Sequence, residues 1–514
     1  MKTATKKQKI GNNFVTAPRK ANKVKVKLPA APVTNSLLSS LIKEDNKTLT
    51  ENGAPTYKST LNALVDFFAM GAALRSRPEQ DIVNLFIKSF AEDPLLSIKL
   101  LFHIRNIRGG QGERRTCRII LKYLGDNYPE IVVQNLGNIV HYGRFDDLFV
   151  LFGTKVANQA LEFIKVSLNN DVEAYNDNKP ITTCAKWMPS ENTSSTITRA
   201  LGARIRHYLG WTPKQYRKTL SALRAYSNVV EVKMSDNHWT DINYRSVPSK
   251  ASLRYKKAFM KHDETGYQKF IDAVKKGETK INAGALFPYE IVEKVMARDN
   301  DETLDILWNA LPDYMEDKTR NILTVVDVSG SMMGRPMATA ISLGIYTAEK
   351  NKGPFGGYFI TYSDNPVLQK VVGANIREKV RCLQENPAYS TNLQSVFDML
   401  LIQAVKGNVK QEDMPAQILV ITDVEFNSPQ NGKTNLETIQ DKYAAAGYKM
   451  PQLVFWNVNS RQNNCAATAD AKGILLVSGS SPSVFKTLLS GCQYSPLDQV
   501  LETLNNEMYN RVTI

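Results

Sequence analysis

Cysteine is scarce in this 514-residue chain, and histidine is no commoner. The five cysteines (Cys117, Cys184, Cys382, Cys465 and Cys492) are scattered, and none stands in a Cys-x-x-Cys pair. That spacing argues against a zinc site or a disulfide scaffold and for reduced structural thiols. No run of about 18 apolar residues occurs, so no membrane partner is expected. Lys2, Lys6, Lys7 and Lys9 are not followed by the apolar core of a secretory signal. The C-terminal third contains no histidine, the commonest general base. A phosphate-cradling Gly-x-x-x-x-Gly-Lys-Ser/Thr run and a Gly-x-Ser-x-Gly elbow are both missing. No internal repeat is regular enough to name by eye. These absences lead to the expectation that the protein is not an enzyme.

Its length suffices for two or three cored domains. The net charge of +15 is unevenly spread. Residues 1–42 hold nine Lys/Arg and no acid, residues 43–320 hold 40 basic against 34 acidic groups, and residues 321–514 hold 16 of each. Excess positive charge outside the C-terminal region argues for a polyanionic partner rather than for a fold. Residues 1–35, rich in Lys, Ala, Asn and Pro, read as a disordered basic arm.

In the C-terminal region, Asn321-Ile-Leu-Thr-Val-Val326 reads as a buried strand. It runs into Asp327, with Ser329 and Ser331 at alternate positions around Gly330. One carboxylate and two hydroxyls in a tight turn form the hard oxygen set that Mg²⁺ favours, with Mn²⁺ as another divalent candidate. A second apolar run, Ala416-Gln-Ile-Leu-Val-Ile-Thr422, ends at Asp423, and Tyr389-Ser-Thr-Asn392 places Thr391 in a loop before a helical pattern. Candidate strands cover 321–328, 357–363, 416–422, 452–458 and 473–478, and candidate helices 337–350, 375–384, 392–405, 435–446 and 482–489. Such alternation predicts a doubly wound α/β sheet, with the acids at the carboxyl ends of its strands. The plainer reading is a strand-to-helix turn with Asp327 as a cap.

This constellation resembles the metal-ion-dependent adhesion site of von Willebrand factor A domains. Carried over by that resemblance, the ligand set is Asp327, Ser329, Ser331, Thr391 and Asp423. In that family the ion keeps an open position that a partner's carboxylate fills, which implies binding rather than catalysis.

From about residue 57 the apolar spacing turns helical: Leu61, Leu64, Val65 and Phe68, then Ile82, Leu85, Phe86 and Phe90. Short helices joined by polar turns continue through 156–168, 196–209, 213–226, 266–276, 287–297 and 301–311. They predict stacked antiparallel pairs, a HEAT-like α-helical solenoid. Within it lie three basic clusters. The first, His103 to Arg118, sets Arg105, Arg108, Arg114 and Arg115 around Gly109, Gly110 and Gly112. The second carries Arg204, Arg206, His207, Lys214, Arg217 and Lys218 among Tyr208, Trp211 and Tyr216. The third, Arg245 to Lys261, includes Lys250, Arg254 and Tyr255. Guanidinium groups pair phosphates and aromatics stack on unpaired bases, so this composition suits single-stranded or structured RNA. The alternative is solvated helix faces with the aromatics in the core.

A basic helical region followed by an A domain resembles the TROVE (Ro ribonucleoprotein) family. Leu209-Gly-Trp-Thr-Pro-Lys-Gln-Tyr-Arg-Lys218 looks like that family's Gly-Trp-Ser/Thr-x-Lys segment. The run from Arg105 to Arg114 is shared with TROVE-like proteins encoded by phages, large viruses and plants. The resemblance implies three parts: a basic arm and linker at 1–56, a helical-repeat domain at 57–318 and an A domain at 319–514. It implies small non-coding RNA on the outer helical surface and misfolded RNA ends captured through a ring. Segment 228–262 and the basic arm depart from the Ro pattern. A second reading is a phage-encoded virion or assembly protein that grips a protein carboxylate through its metal. A third is a cofactor of an AAA-type chaperone. The expected location is cytoplasmic, or in a virion under the assembly reading.

Overall fold

The computed structural model describes residues 36–299, 301–315, 321–362, 365–385, 390–428, 433–488 and 491–514. The predicted arm at 1–35 lies outside them, as do Tyr389 and the expected domain boundary within 316–320. The chain divides into two units between Glu44 and Asp45. In the first, a helix begins at Ser36. All that follows concerns the second.

Five fully or largely buried strands make the sheet: β3 (Ile322–Val326), β4 (Tyr358–Thr361), β6 (Gln417–Thr422), β7 (Gln452–Asn457) and β8 (Ile474–Ser478). They pair in parallel, which is why they read as continuous apolar runs rather than alternating ones. A sixth strand, β5 (Leu368–Lys370), adds antiparallel to β4 and gives the order β5-β4-β3-β6-β7-β8. Helices Arg335–Lys350, Ile376–Gln384, Leu393–Lys406 and Asn435–Ala445 connect the strands at nearly the predicted positions. The span expected at 482–489 is a 3₁₀ turn, Pro482–Thr487, and a further helix, Pro496–Leu504, follows it.

Short helices fill the region before the sheet, each stopped by local chemistry. Asp93 caps Pro94–Arg105 by accepting from the Leu96 amide. Thr212 and Gln215 form a reciprocal capping box on Pro213–Tyr226, and Gly210 at φ +70° ends Thr196–Leu209. Segment 228–262 is not a loose loop. It folds around its own small core of Val230, Ile242, Tyr244, Val247 and Phe259, with Tyr267 and Ile271 from the next helix.

The stretch expected as linker up to residue 56 is also ordered. Lys47–Leu49 (β1) and Pro55–Tyr57 (β2) form an antiparallel hairpin. It packs against the loops that leave the sheet: Thr50 donates to the Phe426 carbonyl at 2.7 Å, and Tyr57 bridges Cys465.

The helical region leaves the sheet domain and returns to it. Its first helices (Ala63–Met70 and Pro94–Arg105) pack on β8 and Pro496–Leu504, and its last (Pro288–Met296 and Thr303–Asn309) on Arg335–Lys350 and Ile376–Gln384. The glycine-rich loop at 109–112 makes the first of these junctions tight. Gln111 is buried and donates to the Phe68 carbonyl and the Ser478 hydroxyl, and the Ser483 hydroxyl donates to the Gly110 carbonyl at 2.6 Å. A Cβ on Gly110 would sit 2.1 Å from the His103 carbonyl, and one on Gly112, at φ +70°, would sit 2.4 Å from the Phe287 ring. Only glycine permits both approaches.

The C-terminal tail fastens the same junction. The Tyr142 hydroxyl donates to the Met508 carbonyl, and the Asn138 amide to the Arg511 carbonyl. His103 is buried, stacks on Phe68 and lies 2.9 Å from the Tyr509 hydroxyl through Nδ1, while its Nε2 has no partner among the described residues. Burial pushes its pKa down to about 4. The native imidazole is therefore neutral. Below about pH 6.5 the unfolded chain takes up a proton that the native ring refuses, so stability is full above that pH and declines towards about pH 4. Urea unfolding should show wild type losing up to about 3 kcal/mol relative to His103→Gln between about pH 7 and pH 4. Parallel pH profiles would contradict this.

Candidate functional site

Two features gather polar side chains: an oxygen-rich edge on the sheet and a cationic cavity beside it.

At the sheet edge, register places the ends of β3 and β6 side by side, Val326 opposite Ile421. Asp327 and Asp423 follow directly and are both buried. Asp327 Oδ1 accepts from the Ser329 amide at 2.9 Å, and Oδ2 accepts from the Thr422 hydroxyl at 2.9 Å. The Ser329 and Ser331 hydroxyls are 3.1 Å apart. Thr391 is buried, and its carbonyl accepts from the Asn427 amide at 3.0 Å, which ties it to the loop that carries Asp423. Burial, and then the neighbouring Asp423 carboxylate, push Asp327 up to about 6. The Tyr362 phenol is raised by burial and by both carboxylates, and its buried hydroxyl has no hydrogen-bond partner among the described residues.

Among the described residues, no three His, Cys, Asp or Glu side chains come together as a metal set. This edge has two close carboxylates, Asp327 and Asp423, and depends on hydroxyls for the rest. Arg461 was not foreseen: its guanidinium lies 3.0 Å from Asp423.

The second feature is an open cavity of about 1910 Å³ lined by the helical region, with Arg335 from the sheet domain on its wall. Twelve Lys and Arg side chains line it against six Asp and Glu. Many of these cations are already engaged. Arg75 pairs with Glu113 at 2.5 Å, Arg144 with Asp146 at 2.7 Å, Lys250 with Glu290 at 2.9 Å and Arg335 with Glu293 at 2.9 Å. Arg224 donates to the Ala185 and Met188 carbonyls. The guanidinium groups of Arg114 and Arg217, both exposed residues, make no hydrogen bond or ion pair among the described residues. The Arg108 guanidinium donates to the His141 carbonyl, at 3.3 Å. Trp187 lies on the wall with the Arg144 guanidinium 4.0 Å from its ring centre.

The predicted RNA-contacting residues divide between this wall and elsewhere. Arg105, Arg108, Arg114, Arg115 and Arg217 line the cavity; Arg204, Arg206, His207, Lys214 and Lys218 do not. Arg105 needs correcting as a phosphate contact. It is buried in a 2.7 Å ion pair with Asp147, and releasing it would leave a buried acid short of a partner. Arg206 is likewise held by Glu191 at 2.8 Å, and Arg115 donates to the Leu74 carbonyl. Arg204 lies over the Phe152 ring, and His207, Lys214 and Lys218 are exposed on the outer face. Tyr216 is buried with its hydroxyl on the Pro189 carbonyl, which makes it structural, and Trp211 is partly buried and does not line the cavity. Arg75, Arg144, Lys186 and Arg335 escape prediction because each stands outside the basic clusters.

All five cysteines are free, three of them buried. Among the described residues no helix is long and apolar enough to cross a membrane.

The molecule is thus a helical region joined at both ends to a mixed α/β sheet domain. By sequence the chain belongs to the DUF2828 family, described as a domain of unknown function, whose model matches residues 50–159 and 146–327. A second model of the same description, DUF7788, matches residues 321–511. The "Uncharacterized protein L728" of Acanthamoeba polyphaga mimivirus is 32% identical, across 91% of this chain and 89% of its own. The crystal structure of the Deinococcus radiodurans RO (RSR) protein is similar at 11% identity, covering 84% of this chain and 99% of that one, with a TM-score of 0.44. A likeness at that level establishes neither a shared fold nor a shared role.

Proposed function

We propose that this is a non-enzymatic RNA-binding protein of the cytoplasm. Its HEAT-like helical region would hold a single-stranded segment of a small or misfolded RNA in the cationic cavity. Its sheet domain, of von Willebrand A type, would hold Mg²⁺ or Mn²⁺. The observation that carries the RNA reading is the pair Arg114 and Arg217: exposed residues lining the cavity whose guanidinium groups make no ion pair among the described residues. Protein-internal pairing accounts for most of the other arginines there, so these two have donors to offer a phosphate. Trp187 and Tyr255 on the same wall supply ring faces for bases.

The metal reading is supported by donor chemistry. Two buried carboxylates follow the ends of neighbouring strands, with two serine hydroxyls after the first and a buried phenol that has no hydrogen-bond partner among the described residues. Oxygen donors of this kind suit Mg²⁺. Asp327, Ser329, Ser331, Thr391 and Asp423 would hold the ion, which when bound would offset the carboxylate repulsion and accept one further oxygen ligand.

An assembly role has one observation in its favour. Met333, two residues beyond Ser331, is 83% exposed, an apolar side chain at the rim where a protein partner's carboxylate would arrive.

Two measurements test these readings. Filter binding of single-stranded RNA across a salt series should give a log–log slope that falls by about 0.7 for each of Arg114→Ala and Arg217→Ala. Slopes unchanged in both variants would contradict cavity binding. Mg²⁺ should raise the melting temperature of wild type and leave Asp327→Ala unmoved; an equal rise in both would remove the ligand assignment.

A further inference from the structure

Arg461, on the loop after β7, reaches in two directions. One terminal nitrogen lies 2.6 Å from Glu51, in the turn of the β1–β2 hairpin, and the other 3.0 Å from Asp423. The Asp423 side chain is wholly buried, whereas those of Arg461 and Glu51 are 29% and 37% exposed. The guanidinium therefore leads from a buried carboxylate out to a surface turn.

That turn is fastened to the loops carrying the proposed ligands. The Glu51 amide donates to Glu425 Oε2 at 2.7 Å, and Glu425 also accepts from Asn464 at 3.0 and 3.1 Å. Gly53 bridges Asn427, whose amide holds the Thr391 carbonyl. From the other side, Arg77 donates to the Arg461 carbonyl at 3.1 Å and the Ser460 amide to the Ala73 carbonyl at 3.0 Å. Arg461 is thus held beside Asp423 by the turn between the first two helices of the helical region.

A divalent ion bound between Asp327 and Asp423 needs the charge that Arg461 now takes up. Two cations a few ångströms apart in a partly buried site repel strongly, and one acid cannot fully serve both. We propose that Arg461 and the divalent ion compete for Asp423, so that loading the site releases Arg461 and loosens the Glu51 turn. This inference rests on the metal reading above and adds a coupling between that site and the hairpin.

The test uses the full chain and Mn²⁺ alone, with affinity read by titration calorimetry and turn mobility by amide hydrogen exchange. Arg461→Gln should bind Mn²⁺ about tenfold more tightly, or more, while Arg461→Lys stays within about threefold of wild type. In wild type, Mn²⁺ should speed exchange at Glu51, Asn52 and Gly53. If wild type binds Mn²⁺ and Arg461→Gln binds no more tightly, competition is overturned and the metal reading stands. Tighter binding without faster exchange at the turn overturns the coupling. Binding by neither protein overturns the metal reading itself, and this inference with it.

Should Arg461→Gln fail to fold, Glu51→Gln at the surface turn supplies the second arm. It leaves Arg461 to Asp423 alone and should lower Mn²⁺ affinity about threefold; a gain in affinity would overturn the proposal.

Discussion

The junction between the glycine-rich loop and the carboxyl end of β8 is the contact on which the rest of the architecture depends. Gln111 reaches both the Phe68 carbonyl and Ser478, Glu113 is buried against Arg75, and the Gly110 carbonyl receives Ser483. Removing any one partner would leave a buried polar group unpaired, which costs about 1–3 kcal/mol each. Because this loop and the first helices seat on one side of the sheet domain and Pro288–Met296 and Thr303–Asn309 on its helices, the row of helices is held to the sheet domain at both ends. Phe287, just before Pro288–Met296, lies against Gly112.

Internal pairing also decides which cations are available. Asp147 and Glu113 draw Arg105, Arg118 and Arg75 into internal pairs, and only what remains can meet a ligand. A basic motif of six residues (His103, Arg105, Arg108, Arg114, Arg115 and Arg118) thus divides into scaffold and surface. Arg105 and Arg118 hold the wall, and Arg114 faces the cavity. The sheet edge obeys the same economy of charge: Asp327 is held by hydrogen bonds alone, whereas Asp423 already has a guanidinium partner.

How much of this could be read along the chain follows from the range of each interaction. The parallel strands announce themselves as apolar runs, so Asp327 and Asp423 at their ends were visible, and the Thr391 loop followed in order. β5 was not, because a three-residue edge strand with Leu368 exposed carries no apolar run. The β1–β2 hairpin escaped for a different reason: its strands are three residues each, and its anchors Phe426 and Cys465 lie more than 370 positions away. Arg105 and Arg206 look free in sequence because their acids, Asp147 and Glu191, stand 42 and 15 residues distant. The cavity, conversely, collects isolated cations such as Arg75 and Lys186 that no local cluster would single out.

The central claim is that RNA enters the cationic cavity rather than lying on the outer helical face. Ultraviolet cross-linking to a single-stranded RNA, with the modified residues mapped by mass spectrometry, tests it directly. The account predicts adducts on Trp187 and Tyr255, the ring faces of the cavity wall. Adducts confined to the exposed outer segment around His207, Lys214 and Lys218, with none on the wall, would contradict it.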